Sequence, residues 1–151
     1  NTNFAPQAGG NAESALGWHY GGKGTEKQRI PGSDYIFGRT LSTACIVDDI
    51  VYIPELGGIL HALDANTGER LWYHDLRAPI WSSPYYVDGK IFLGTDDTFL
   101  YIYEHDPKRR GEVRQADNDV EMFSRLRATP VVADGILYVM SETALYAIKQ
   151  K

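Results

Sequence analysis

One pattern of residues occurs three times in this chain, and a repeat constrains a fold more tightly than any isolated motif. Residues 41–63 read LSTACIVDDIVYIPELGGILHAL, residues 81–103 read WSSPYYVDGKIFLGTDDTFLYIY, and residues 127–148 read RATPVVADGILYVMSETALYAI with one residue deleted. Measured between Asp48, Asp88 and Asp134, the spacings are 40 and 46 residues. In this register Ser42, Ser82 and Ala128 align, as do Pro84 with Pro130, Gly89 with Gly135, Tyr52 with Phe92 and Tyr138, and Leu60 with Leu100 and Leu145.

Each repeat predicts the same local structure. A short strand (45–47, 85–87, 131–133) meets an Asp-Asp or Asp-Gly pair, the residues that tolerate the two positive φ angles of a type I′ hairpin turn. A second strand follows (50–53, 90–93, 136–139), then a polar loop and a third strand (59–63, 99–103, 144–148). Only the first unit shows a clear fourth strand, at 69–74. Aromatic residues at 12%, ten of them Tyr, and β-branched clusters between turn pairs give the composition of a β protein. Four antiparallel strands per 40 to 46 residues is the arithmetic of a β-propeller blade, so the expected fold is all-β, about three blades, each a small core of its own.

The segment Ala62-Leu63-Asp64-Ala65-Asn66-Thr67-Gly68-Glu69-Arg70-Leu71-Trp72 resembles the AxDxxTGxxxW tryptophan-docking motif of the PQQ-like propeller repeat family, within the quinoprotein alcohol dehydrogenase-like superfamily. That superfamily includes the lipoprotein of the outer-membrane β-barrel assembly machinery. The motif reads mechanically: Asp64 and Thr67 bond within the turn, Gly68 takes the left-handed position, and Trp72 packs against the neighbouring blade, with Ala62 as the small starting residue. Residues 104–126 depart from the pattern, with no Trp and a charged loop, Pro107-Lys108-Arg109-Arg110-Gly111. The resemblance implies a bacterial protein, exported or periplasmic.

The segments divide as 1–38 (a tail, one strand of a preceding blade at about 15–20, and a loop), 39–76 (the blade with the motif), 77–126 (a blade with a charged insertion) and 127–151 (a three-stranded last blade). Residues 1–13 and 21–38, rich in Gly and polar side chains, are expected to be mobile. Three blades fall below the roughly four to eight that close a ring. The chain, which starts at Asn1 without a Met, is therefore expected to be the C-terminal part of a larger propeller, with the other blades of a longer chain as partners. The alternative is closure by a second copy of itself.

The functional reading is narrowed by what is missing. A formal charge of −5 and a pI near 5.3 give no basic face for nucleic acid, and no apolar run approaches the roughly eighteen residues of a membrane span. Cys45 stands alone in an apolar run, so it has no internal disulfide partner. None of His19, His61, His74 and His105 forms HxH or HExxH. In propellers, loops at one end of the channel meet ligands, and here that rim is expected to hold Arg39, Arg77, Trp81 and Arg127 with Glu55, Asp96, Asp97 and Glu142. The leading expectation is a non-catalytic protein-binding or scaffold surface with no cofactor, no catalytic residue and no metal. The alternative is part of an oxidoreductase using pyrroloquinoline quinone and calcium. For that, Trp81 could stack a planar ring, but Asp96 and Asp97 fall short of the roughly six to eight ligands of calcium. The alternating Asp117, Asp119 and Glu121 lead into Met122 where a calcium loop needs Gly.

Overall fold

A computed structural model describes residues 16–149. The tail expected at 1–13 lies outside the described residues. The first blade begins with β1 (Cys45–Val47), β2 (Ile50–Pro54), β3 (Ile59–Asp64) and β4 (Arg70–Asp75), paired antiparallel in chain order. The second is β5 (Tyr85–Val87), β6 (Lys90–Gly94), β7 (Phe99–Glu104) and, after a detour through β8 (Gly111–Val113), β9 (Asn118–Glu121). The third is β10 (Val131–Ala133), β11 (Ile136–Met140) and β12 (Leu145–Lys149). Among the described residues, no helix is long and apolar enough to cross a membrane.

Each blade turns first where its acidic pair stands. Asp48 and Asp49 have φ of 45° and 59°, Asp88 and Gly89 49° and 74°, Asp134 and Gly135 51° and 71°. Two consecutive positive φ values set the type I′ twist that aligns hairpin strands, and Val47↔Ile50, Val87↔Lys90 and Ala133↔Ile136 pair directly across these turns.

The core lies between blades, not inside each one. On β6, Ile91 and Leu93 join Tyr52, Leu60 and Trp72 in a cluster between the first and second blades, while Phe92 joins Leu126 and Val139 between the second and third. The side-chain period of two sends alternate residues to opposite sheet faces, so each blade is completed by its neighbours. The free face shows the converse: Val131 and Met140 of the third blade are exposed.

Blades are also stitched at the start of their inner strands. The Thr43 N–H donates to Ser83 Oγ at 2.9 Å, and the Ser83 N–H donates to Thr129 Oγ1 at 3.0 Å, so equivalent positions of successive repeats form one ladder. Within each blade, the segment entering the first strand is tied to the loop after the second. Leu56 N–H donates to the Arg39 carbonyl (2.8 Å), Asp96 N–H to Pro79 (3.0 Å) and Glu142 N–H to Arg125 (3.0 Å). These bonds fix the rim.

Three expectations are corrected. The first sheet has five strands, because β8 from the charged insertion pairs parallel to β4, with Trp72↔Gly111 and His74↔Val113 in register. An outer strand leaves a row of unpaired N–H and C=O groups, and β8 covers it. Residues 16–20 carry no strand, where one was expected at about 15–20. The loop 21–38 is anchored, with Ile30 and Ile36 buried and a single 3-10 turn at Glu26–Gln28.

Candidate functional site

The turn joining β3 to β4 carries the motif quoted above. Asp64 Oδ1 accepts the N–H groups of Asn66 (2.8 Å) and Thr67 (2.9 Å), Thr67 Oγ1 accepts that of Glu69 (3.2 Å), and Gly68 has φ of 70°. The two carboxylate bonds hold Asp64 below the usual carboxylate range. Trp18 lies flat against Gly68, where any Cβ would overlap its indole, and its Nε1–H donates to the Ala65 carbonyl at 2.8 Å. Ala62 is fully buried and pairs with Trp72 across the strands. Trp72 reaches the next blade, with its ring 5.7 Å from Tyr103 and the Arg109 guanidinium 5.7 Å above it. There the charged insertion replaces the turn, and the buried Nε1 of Trp72 has no hydrogen-bond partner among the described residues.

The eight residues expected on one rim separate into four places. Trp81, Asp96, Arg127 and Glu142 come together. Arg127 donates to both oxygens of Asp96 at 2.9 and 3.1 Å, reaches Glu142 at 3.1 Å, and lies 5.5 Å over the Trp81 ring. The bonds to Asp96 raise the Arg127 pKa further. Asp97 is turned inward within its loop, bonded to Thr95 Oγ1 and to the Tyr101 hydroxyl at 2.6 Å. Arg77, held in the left-handed region at φ 55°, lines a separate cavity of about 590 Å³ with Asp75, Glu112 and Asp119 at the outer edge of the first two blades. Glu55 is not a rim residue at all: it is 1% exposed. It borders a second cavity, about 400 Å³, with Tyr35, Gly38, Arg39, Leu56 and Gly57.

Beneath that cavity runs a chain of polar groups that the sequence did not announce. Arg70 Nη1 donates to the Tyr20 hydroxyl at 3.2 Å, Tyr20 stands 3.1 Å from His61 Nδ1, and His61 Nε2 stands 2.5 Å from Glu55 Oε1. Burial holds His61 below the ordinary imidazole range, so the neutral ring donates to Glu55 and accepts from Tyr20. Phe37 and Tyr20 pack edge-on against His61. The missed signal was positional: Glu55 stands where the other repeats carry Thr95 and Ser141.

The residues weighed for a calcium-bound quinone do not fit one. The Trp81 face carries Arg127, Asp96 is chelated by the same guanidinium, and Asp97 is held by Thr95 and Tyr101. Among the described residues, no group of three His, Cys, Asp or Glu side chains converges to hold a metal. Burial also pushes the Cys45 thiol up, away from the reactive thiolate.

The family model for outer membrane protein assembly factor BamB matches residues 18–151. The chain belongs to this family. A BamB of Shewanella oneidensis strain MR-1 is 34% identical over 117 residues, covering 69% of this chain and 29% of that protein. The chain thus spans under a third of the length of this curated relative. The crystal structure of BamB from Moraxella catarrhalis superposes with a TM-score of 0.59 at 22% identity, covering 73% of this chain and 33% of that one. A quinohemoprotein alcohol dehydrogenase from Pseudomonas putida HK5 superposes with a TM-score of 0.57 at 18% identity, covering 68% and 17%. At those identities the likeness is one of fold, and it extends the blade architecture across the two branches that the sequence resemblance named.

Proposed function

We propose that this segment is a non-catalytic, protein-binding part of an exported scaffold serving outer-membrane protein assembly, and that it binds through the rim around Leu41 and Trp81. The observation that carries this reading is the state of the rim. Its charged groups Asp96, Arg127 and Glu142 are bonded to one another, while Leu41 and Trp81, forty residues apart in successive repeats, remain 61% and 39% exposed. Apolar anchors flanked by satisfied charges make an interface, since the anchors gain by desolvation and the charges exclude water around them. The tryptophan-docking role of Ala62, Asp64, Thr67, Gly68 and Trp72 is to hold blades in order beneath this rim.

The same reading assigns other blades, from a longer chain or a second copy, to the exposed third-blade face around Val131 and Met140. A photo-crosslinking residue placed at Leu41, at Trp81 and, as control, at exposed Glu69 tests the rim in bacterial cells. Crosslinks to an outer-membrane assembly component from positions 41 and 81 but not 69 support the proposal. Equal labelling from all three, or none, refutes it.

A further inference from the structure

Resting on the reading of the Leu41 and Trp81 rim as a protein-binding surface, we propose that its partner is an acidic polypeptide segment whose carboxylates pair with Arg39 and Arg125. The four acids expected on the rim are all bonded within the chain: Glu55 to His61, Asp96 and Glu142 to Arg127, and Asp97 to Thr95 and Tyr101. Arg29, Arg70, Arg109, Arg110, Arg114 and Arg127 likewise bond through their guanidinium groups. The side chains of Arg39, Arg77 and Arg125 make no hydrogen bond or ion pair among the described residues. Arg77 lines the outer cavity beside Asp75, Glu112 and Asp119. Arg39 and Arg125 are therefore the charges that the fold leaves unanswered near the anchors.

The backbone fixes these two arginines in equivalent places. The Arg39 carbonyl accepts the Leu56 N–H and the Arg125 carbonyl accepts that of Glu142, as the Pro79 carbonyl accepts that of Asp96 in the blade between them. Each stands two residues before the inner rim position of its blade, where the chain carries Leu41, Trp81 and Arg127 in turn. The ladder from Thr43 through Ser83 to Thr129 holds the three blades side by side. Arg39 and Arg125 thus flank the Trp81 blade, and both are exposed. Pro79, with neither charge nor donor, leaves the middle of the surface to Trp81.

The chemistry selects the partner. A guanidinium is permanently charged and carries donors only, so its ligand is an anionic acceptor, and a carboxylate matches its fork. The rim acids are not available for this: Arg127 holds Asp96 by both oxygens at 2.9 and 3.1 Å, and Glu55, 1% exposed, presents no carboxylate surface to a partner. The net charge of −5 opposes long-range attraction to an anionic membrane or a nucleic acid. Apolar anchors between two cations, Leu41 at 61% and Trp81 at 39% exposure, call for apolar side chains between acids. A polypeptide supplies that pattern, and a phosphate backbone does not.

The peptide acetyl-EEFGEE-amide, titrated into the ¹⁵N-labelled protein, should shift the Trp81 indole N–H and Leu41 amide signals saturably, and more weakly as sodium chloride is raised. Arg39→Glu and Arg125→Glu, at exposed loop side chains, should each lower the affinity about three- to tenfold, whereas Lys108→Glu, an exposed charge on the insertion, should leave it unchanged. In bacterial cells, the full-length protein with the photo-crosslinking residue at position 81 should lose most of its crosslink when both arginines are reversed. Crosslinks that persist in the double reversal overturn the acidic partner and leave the rim reading standing, while their absence from the parent protein overturns both. No saturable shift, equal or tighter binding of acetyl-KKFGKK-amide, or affinity unchanged in both single reversals overturns the proposal. So does binding to phosphatidylglycerol vesicles without binding to the acidic peptide, which marks an anionic membrane as the ligand.

Discussion

Trp18 and Trp72 are a matched pair for testing how an indole docks on a blade, because replacing each by Phe removes the same atoms from opposite hydrogen-bonding states. The Trp18 Nε1–H donates to the Ala65 carbonyl, whereas the buried Trp72 Nε1–H has no acceptor among the described residues. Removing part of an indole costs about 1 kcal/mol in lost apolar burial at a fully buried site. At Trp18, half-buried, that part is smaller, but the lost bond adds about 1 kcal/mol and leaves the Ala65 carbonyl unpaired. Trp18→Phe should therefore destabilise by about 1.5–2.5 kcal/mol. At Trp72 the substitution removes an unsatisfied buried donor, which returns about 1–3 kcal/mol. The Arg109 contact over the ring is weakened by about 0.5 kcal/mol. Trp72→Phe should then lie between about 0.5 kcal/mol less and about 1.5 kcal/mol more stable than the parent. Urea unfolding followed by far-ultraviolet circular dichroism measures both, with an unchanged m-value as the control for two-state behaviour. A larger loss at Trp72 than at Trp18 would refute the reasoning, because it would mean that ring volume and not hydrogen-bond state governs the interface.

Two further outcomes follow from the turns and the buried imidazoles. Asp49 holds φ of 59° where the other repeats have Gly89 and Gly135, so Asp49→Gly should stabilise by about 0.5–1 kcal/mol in the same urea assay; destabilisation would show that the Asp49 side chain contributes more than the strain costs. His61 and His74 both have their pKa lowered from 6.5, chiefly by burial. The unfolded chain therefore binds protons that the native state refuses, and stability present above pH 6.5 should fall by up to about 1.4 kcal/mol per unit for each group as the pH drops toward their native values. Replacing both by Gln should flatten the profile between pH 7 and 5, and an unaltered slope would exclude them as its source.

The repeat made most of the scaffold legible before any coordinates. Asp48, Asp88 and Asp134 mark hairpins that fold as read, because a type I′ turn is a local demand on two backbone angles. β9 was not legible: Asn118, Asp119, Val120 and Glu121 are all exposed, so no apolar alternation betrays the strand. β8 was hidden for a different reason, since its existence depends on the free edge of β4, far away in sequence. The candidate site was less legible still. Arg77 and Arg127 are both exposed loop arginines in sequence, yet one lines an outer cavity and the other chelates Asp96.

Sequence alone determined the repeat unit, its turns, its apolar alternation and, through Asp64, Thr67, Gly68 and Trp72, the family, because each of these is a short-range property of residue type and spacing. Tertiary structure alone decided which charges meet. Glu55 read as one of several rim acids until the fold buried it against His61, tied that ring to Tyr20 and Arg70, and left one carboxylate oxygen between Gly38 and Gly57. Burial and electrostatic pairing depend on distances between residues remote in the chain, and no local pattern carries them.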